Sequence, residues 1–359
     1  MPTQSRGHGT RTSLGSRKSL ALALGLLLPL LLTGCARPQP RVVAYCAQDK
    51  EFAEGVFADF TLTTGLPVAP HYDTEATKSV SLYEELVREA SRPRCDVFWN
   101  NEILSTIRLQ RQGLLEPYDS PSAADYPDWA RAKDRTWTAF AARARVLIVN
   151  TDLVPAAERP KSLFDLTEPR WQGKVALAKP QFGTTATHAA CLFEVLGPEK
   201  ARGWFLGLRG NEVKVVDGNK AVAVGVGAGQ YAIGLTDTDD AITEVEAGRP
   251  VAIIFPDRDR PADDRMGTLF IPNTVMLIKG APNPDGGKRL IDFLLSARVE
   301  RQLAETASHQ IPLNPKVEAK LPAAIETPRT VKPMRVDWEK AADRWKDAQK
   351  FLADEFARP

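Results

Sequence analysis

Short apolar runs alternate with amphipathic segments in the first part of the chain after residue 40. Residues 41–46 and 66–72 are short β-rich runs, and the apolar positions between them recur at helical spacing up to Gly65. A second amphipathic segment, 78–93, ends at a proline and leads into the apolar run 95–101. Strands that alternate with helices in this way predict a parallel sheet covered by helices on both faces, an α/β fold.

Two longer apolar segments divide this pattern. Residues 136–151 form an extended strand interrupted by Arg143 and Arg145, and residues 267–280 form another. We expect both to cross between two lobes and to act as hinges around a central cleft. The last amphipathic segment, 336–356, places its apolar residues on one face, which predicts packing against the core.

The length of the chain, 359 residues, exceeds that of a usual single domain. The predicted organisation is a signal peptide at 1–34, a tether at 35–40, lobe one at 41–140 together with 270–359, and lobe two at 141–269.

The amino-terminal region has the pattern of an export signal. Residues 1–18 carry four basic side chains and no acidic one, and residues 20–32 are uncharged and apolar. This run is shorter than the roughly 20 residues that a membrane-spanning helix needs. Leu32-Thr33-Gly34-Cys35 resembles the lipobox of bacterial lipoproteins, so we expect lipid on Cys35, with an ordinary secretory signal as the alternative.

Charge and cysteine content exclude several classes of protein. Removal of the leader changes the formal charge of +2 to about −2, so no basic excess indicates nucleic acid or a strongly anionic membrane as a partner. Cys46, Cys95 and Cys191 are far apart in the sequence and are not in metal-binding or redox spacing. We therefore expect no disulfide framework, zinc site or cofactor.

Polar residues follow the predicted strands of lobe one. Ligands of open α/β sheets bind beyond the carboxyl ends of the strands, where the strand order reverses. The candidate ligand-binding residues of lobe one are Tyr45, Asp49, Glu75, Trp99, Asn100, Asn101 and Glu102.

In lobe two, Asp237, Asp239 and Asp240 follow the apolar run that ends at Leu235. Crowded carboxylates raise one another's proton affinity unless a cation or hydrogen-bond donors neutralise them. The cluster therefore predicts a positively charged ligand, with Asp239 and Asp240 as candidate metal ligands. The alternative is structural: Thr236 or Asp237 caps a helix whose positive end favours Asp239 and Asp240.

An anion-binding group is predicted beside the aspartates. Thr184 and Thr185 open a helix after Gly183, which provides hydroxyls and backbone amides, and Arg143 lies at the first crossing. The alternatives are ordinary capping for the threonines and a surface salt bridge for Arg143. His188, four residues into this helix, is interpreted as a buried or capped histidine.

Several phrases, in order, resemble the ferric-iron-binding family of bacterial periplasmic substrate-binding proteins, which are receptors of ABC importers. The phrases are YCAQDKE, CDVFWNNEI, AARARVLIVNT, GQYAIGLTDTDDA, IPNTVMLIKGAPNPDGGKRLIDFLLS and IPLNP. The resemblance implies the two-lobed type II fold. Iron in that family is held by a histidine, a glutamate and two adjacent tyrosines. The resemblance places Asp49 at the position of the histidine and Asn101, which Glu102 follows, at that of the glutamate. Asp239 and Asp240 stand at the positions of the two tyrosines.

The resemblance and the residues together predict a lipid-anchored receptor in the periplasm or on the outer face of the membrane, working with an ABC permease. The expected ligand is a cation such as iron(III) with a helper anion, because carboxylates are hard oxygen donors. A small zwitterion such as an aminophosphonate is the alternative ligand. A carboxylate-based hydrolase is disfavoured, because the sequence has no nucleophile or phosphate-loop motif. The sequence does not distinguish a sensor from a transporter.

Overall fold

The structure, a computed structural model, describes residues 41–73, 79–261 and 266–356. Glu75, Cys35, the predicted signal peptide and the tether lie outside these ranges. Among the described helices, none is both long and apolar enough to cross a bilayer.

Lobe one is built around three parallel strands, in the order β2-β1-β3. Helix α1 ends where predicted, because Gly65 adopts the left-handed conformation (φ 68°) that closes a helix, and its N–H binds the carbonyl of Thr61. The elements are β1 Val42–Cys46, α1 Lys50–Thr64, β2 Val68–Tyr72, α2 Val80–Arg88, β3 Val97–Asn100, α3 Leu104–Arg111 and β4 Leu115–Glu116.

Two long strands connect the lobes, β5 (Trp137–Asn150) and β10 (Phe270–Ile278). The first part of β5 pairs with β10, and its second part pairs with strands of lobe two. Both long strands run antiparallel to their neighbours, so the ten-stranded sheet of the described residues is mixed. The prediction of parallel strands that alternate with helices is confirmed for β1–β3, and the two crossing strands are antiparallel to them.

The crossing is irregular at Ala141, which has a φ of 41°, opposite a register shift between Pro272 and Asn273. The buried carboxylate of Glu300 accepts the N–H of Ala141 at 2.7 Å and that of Asn314 at 2.8 Å. Burial raises the pKa of Glu300. The bond from Ala141 satisfies a backbone N–H that the bulge leaves outside the pairing of β5 with β10.

Lobe two repeats the alternation of strands and helices, with β6 parallel to both β7 and β8. Strand β9 pairs with the end of β5. The elements are β6 Val175–Ala178, α4 Gly183–Val195, α5 Pro198–Gly210, β7 Lys214–Val216, α6 Asn219–Gly227, β8 Ile233–Asp237, α7 Thr238–Glu246 and β9 Val251–Ile254.

After β10 the chain returns to lobe one through α8 (Pro284–Leu294) and α9 (Ala297–Glu305). The last helix, α10 (Trp338–Phe351), packs against both α3 of lobe one and α4 of lobe two. Phe351 contacts the rings of Phe193 and Phe205 at 5.8 and 6.1 Å between centroids. The apolar face of α10 is thus part of the core, as its spacing predicts, and it joins the two lobes.

Candidate functional site

A small cavity lies where the two lobes meet at the ends of their strands. Its volume is about 20 Å³. Of the residues that the sequence nominates, Asp49, Asn101, Arg143, Thr184, Thr185, Asp237, Asp239 and Asp240 line it. Lys179, Asp217 and Asn219, which the sequence analysis did not nominate, line it as well.

The register of β5 against β8 pairs Arg145 directly with Asp237. The two side chains form a salt bridge of 2.8 Å, from Nη1 of the arginine to Oδ1 of the aspartate. Both are buried, and the arginine is 0% exposed. A buried ion pair is maintained only when its remaining polar atoms are also satisfied. The surroundings of this pair meet that condition.

The guanidinium of Arg145 also donates to Asn219 Oδ1 at 2.9 Å and to His188 Nδ1 at 3.4 Å. Asp237 Oδ2 accepts the hydroxyl of Thr184 at 2.5 Å and the amide of Asn219 at 3.0 Å. Burial, together with Arg145, holds the pKa of His188 well below its usual value, so His188 is neutral. The buried histidine thus supports the arginine, in agreement with its structural interpretation.

Arg143 is buried and pairs with Asp239 at 2.9 Å, so it does not form a surface salt bridge. Its guanidinium also donates to the backbone carbonyl of Asn101 at 2.8 Å and to the side chain of Gln48, both in lobe one. Burial alone would lower the pKa of Arg143, but Asp239 and the neighbouring aspartates raise it. Arg143 therefore connects the hinge strand to residues of both lobes.

Asp237, Asp239 and Asp240 each present one carboxylate oxygen within 4.8 Å of the other two. This spacing allows one metal ion to contact all three. With Asp49 and Asp217, five aspartates line the cavity, whereas Arg143 and Lys179 are the basic residues that line it. The cavity is therefore negatively charged, and it favours a cation.

Two helices of lobe two begin at the cavity wall. Gly183 is the first residue of α4, and Gly218 is the N-cap of α6. The first N–H groups of a helix have no carbonyl partner within that helix, and the helix dipole makes this end positive. The hydroxyls of Thr184 and Thr185 already donate to Asp237 and Asn219, which line the same cavity. The amino-terminal ends of the two helices, rather than these hydroxyls, are therefore the groups that suit an anion.

The structural alternative for Asp237 is correct in part. Asp237 occupies the N-cap position of α7, but its side chain makes no capping hydrogen bond. Its carboxylate instead binds Arg145, Thr184 and Asn219. Two arginines of β5 thus neutralise two of the three clustered aspartates.

Tyr45 and Trp99 do not line the cavity. The hydroxyl of Tyr45 donates to Glu85 of helix α2 at 3.3 Å and to Glu89, the C-cap of that helix, at 3.1 Å. Its ring lies 4.9 Å from that of His71. Trp99 is completely buried and packs edge-on against Phe57, with 5.7 Å between ring centroids. Both side chains belong to the core of lobe one.

Asn100 and Glu102 also lie away from the cavity lining. Glu102 accepts the N–H groups of Leu104 and Ser105 at 2.6 and 3.0 Å, and so caps helix α3. Its Oε2 also accepts the hydroxyl of Thr187 on α4 at 2.8 Å. Asn100 donates to Glu102. The glutamate therefore forms a buried contact between the lobes.

Comparison with known proteins identifies the family. The model of the family described as bacterial extracellular solute-binding protein matches residues 105–344. The chain belongs to this family. Its members bind solutes, which confirms the prediction that the protein is not an enzyme, and the resemblance to periplasmic iron-binding proteins is confirmed.

The major ferric iron-binding protein of Neisseria meningitidis is 24% identical over 301 residues, which cover 81% of this chain and 86% of that protein. The ferric binding protein from Campylobacter jejuni superposes with a TM-score of 0.76 at 22% identity, covering 88% of this chain and 99% of that one. The periplasmic binding protein AfuA from Actinobacillus pleuropneumoniae, with exogenous fructose-6-phosphate bound, superposes with a TM-score of 0.78 at 22% identity. The match covers 89% of this chain and 100% of that one. These structures show the type II fold of this solute-binding protein.

Sequence reasoning missed Arg145, Asn219, Gln48, Lys179 and Asp217. A usable signal existed for Arg145, because two arginines two residues apart in an apolar strand share one face. Lys179 and Asp217 directly follow strands β6 and β7. Asn219 and Gln48 have no comparable pattern.

We expect Arg145→Met to lower the free energy of unfolding by about 3–5 kcal/mol, because it leaves Asp237 buried without its cation. Asp237→Asn is expected to be destabilising too, and the double variant should lose less than the sum of the two. Urea unfolding followed by circular dichroism measures these values. Strict additivity, or a loss below about 1 kcal/mol in Arg145→Met, would contradict the proposed pairing.

Proposed function

We propose that this solute-binding protein is the receptor of an ABC importer and that it captures a small cation between its lobes, with iron(III) as the first candidate. The observation that carries this proposal is the convergence of Asp237, Asp239 and Asp240 on one point of the interlobe cavity. Carboxylate oxygens are hard donors suited to hard cations. Asp49 and Asn101 of lobe one face the same cavity, so one ion can interact with both lobes.

The size of the cavity supports an ion over a larger solute. About 20 Å³ accommodates roughly one water molecule, whose minimum requirement is about 10–15 Å³. A metal ion that has exchanged its waters for carboxylate oxygens is of this size, whereas a zwitterion of several heavy atoms requires the lobes to separate. Contact with both lobes favours the closed state, since a ligand shifts a conformational equilibrium only through differential affinity.

The second candidate is an organic solute that carries a phosphate or phosphonate group. It is favoured by the amino-terminal ends of α4 and α6 at the cavity wall, because helix N-termini bind such anions. AfuA, which shares the fold, holds fructose-6-phosphate. The aspartates would then bind the amine of an aminophosphonate.

Calorimetry with metal-free protein distinguishes these two candidate ligands. If the cargo is a cation, 2-aminoethylphosphonate should produce no heat in calorimetry with protein stripped of metal, while iron(III) supplied as citrate should bind with a stoichiometry of one. Binding of the aminophosphonate without metal, together with silence toward iron(III), would favour the organic solute.

Replacement of Asp239 and Asp240 by asparagine should weaken iron(III) binding by at least about 100-fold, because two anionic oxygen donors become neutral amides. The matched control is Asp128→Asn with Asp285→Asn, which removes two exposed charges of lobe one whose ion pairs are to residues three positions away.

Asp240→Asn alone leaves the buried pair of Arg143 and Asp239 in place and should still weaken binding. Calorimetry gives the affinity, and thermal unfolding verifies the fold. Unchanged affinity in a folded double variant would remove these aspartates from the site.

We propose further that Cys35 carries the lipid that anchors the receptor, on the support of the lipobox-like sequence Leu32-Thr33-Gly34-Cys35. Mass spectrometry of the amino-terminal peptide from the mature protein should find Cys35 as the first residue, with acyl chains attached. A mature amino terminus elsewhere, or an unmodified Cys35, would rule out lipid on this cysteine.

A further inference from the structure

An exposed ion pair joins the two lobes at the cavity. Lys220 Nζ in helix α6 of lobe two lies 2.8 Å from Glu51 Oε1 in helix α1 of lobe one. Their side chains are 55% and 54% exposed. Other ion pairs also join the lobes, such as Arg258 with Glu326 at 2.6 Å, but the pair of Glu51 and Lys220 lies beside the cavity.

Both residues are adjacent to the cavity lining. Glu51 lies two positions after Asp49, and Lys220 directly follows Asn219. The hydrogen bond to Glu51 raises the pKa of Lys220, with smaller contributions from Asp240 and Asp49. The ammonium group therefore interacts with carboxylates of both lobes around the cavity.

The position of Lys220 is locally unfavourable. It is the second residue of α6, at the positive end of the helix dipole, where an acidic residue is preferred. Glu51 in the first turn of α1 has the preferred sign. A residue that conflicts with its local environment indicates a compensating interaction elsewhere, and Glu51 provides it.

We propose that Glu51 and Lys220 form an ionic latch that holds the lobes closed over the aspartate cavity. The relevance of the latch to ligand capture rests on the proposed function. Unlike the contact of Thr187 with Glu102, which is buried, the latch is exposed to water and can open without uncovering a buried charge. Exposed pairs are weak and are screened by salt, so the latch shifts the ratio of closed to open molecules by about two- to five-fold.

Single-molecule fluorescence transfer in the ligand-free protein tests the latch. Dyes at Leu62 in lobe one and Val215 in lobe two, both exposed positions, report the distance between lobes. Glu51→Gln and Lys220→Gln should each lower the ratio of closed to open molecules two- to five-fold. The charge-reversed double variant, Glu51→Lys with Lys220→Glu, should recover a large part of the loss.

Salt gives a second readout. Raising sodium chloride from 0.05 to 0.5 M should lower the closed fraction of the unsubstituted protein and have less effect on Glu51→Gln. The matched control is Asp59→Asn, which removes an exposed pair with Arg298 inside lobe one and should leave the ratio unchanged. An identical ratio in all variants, or an equal loss in Asp59→Asn, would overturn the latch.

Titration of the same molecules with iron(III) citrate separates the two proposals. Faster release of iron(III) from Glu51→Gln, at an unchanged association rate, supports a latch that retains the cargo. A lack of any response to iron(III) in the unsubstituted protein would overturn the proposed cargo, while the ligand-free distances still decide the latch.

Discussion

The site depends on the pairing of two arginines of the hinge strand with two aspartates of lobe two. Arg145 meets Asp237 in the strand register, and Arg143 reaches Asp239 in the following helix. Residues two apart in a strand share one face, so both arginines are directed to the same side of the sheet. Without them, three carboxylates within four residues would repel one another. With them, the cluster is held in place and the cavity keeps a negative charge.

The same strand connects this cluster to the movement of the lobes. Arg143 binds Asp239 of lobe two, and it also binds the backbone of Asn101 and the side chain of Gln48 in lobe one. A cation at Asp239 competes for a carboxylate that Arg143 already binds. Under the proposed function, ligand binding and lobe closure therefore involve the same side chains. Helix α10 packs on both α3 and α4.

Periodicity was sufficient to predict strands β1–β3, helices α1, α2 and α10, and the two crossings. Strand direction was not predictable, because a local pattern does not show that β5 and β10 run opposite to their neighbours. Position after a strand located Asp49, Asn101 and the aspartates correctly at the cavity. It could not show that Tyr45 faces α2, since neighbouring side chains in a strand point to opposite faces. Glu102 was misinterpreted because helix α3 was not predicted, so its capping role was not evident.

Native mass spectrometry of the protein taken from its own host tests the central claim most directly, because the ligand is weighed with the chain. The account predicts a mass increase equal to one metal ion, alone or with one small anion. Release of an organic molecule without any metal would contradict the account.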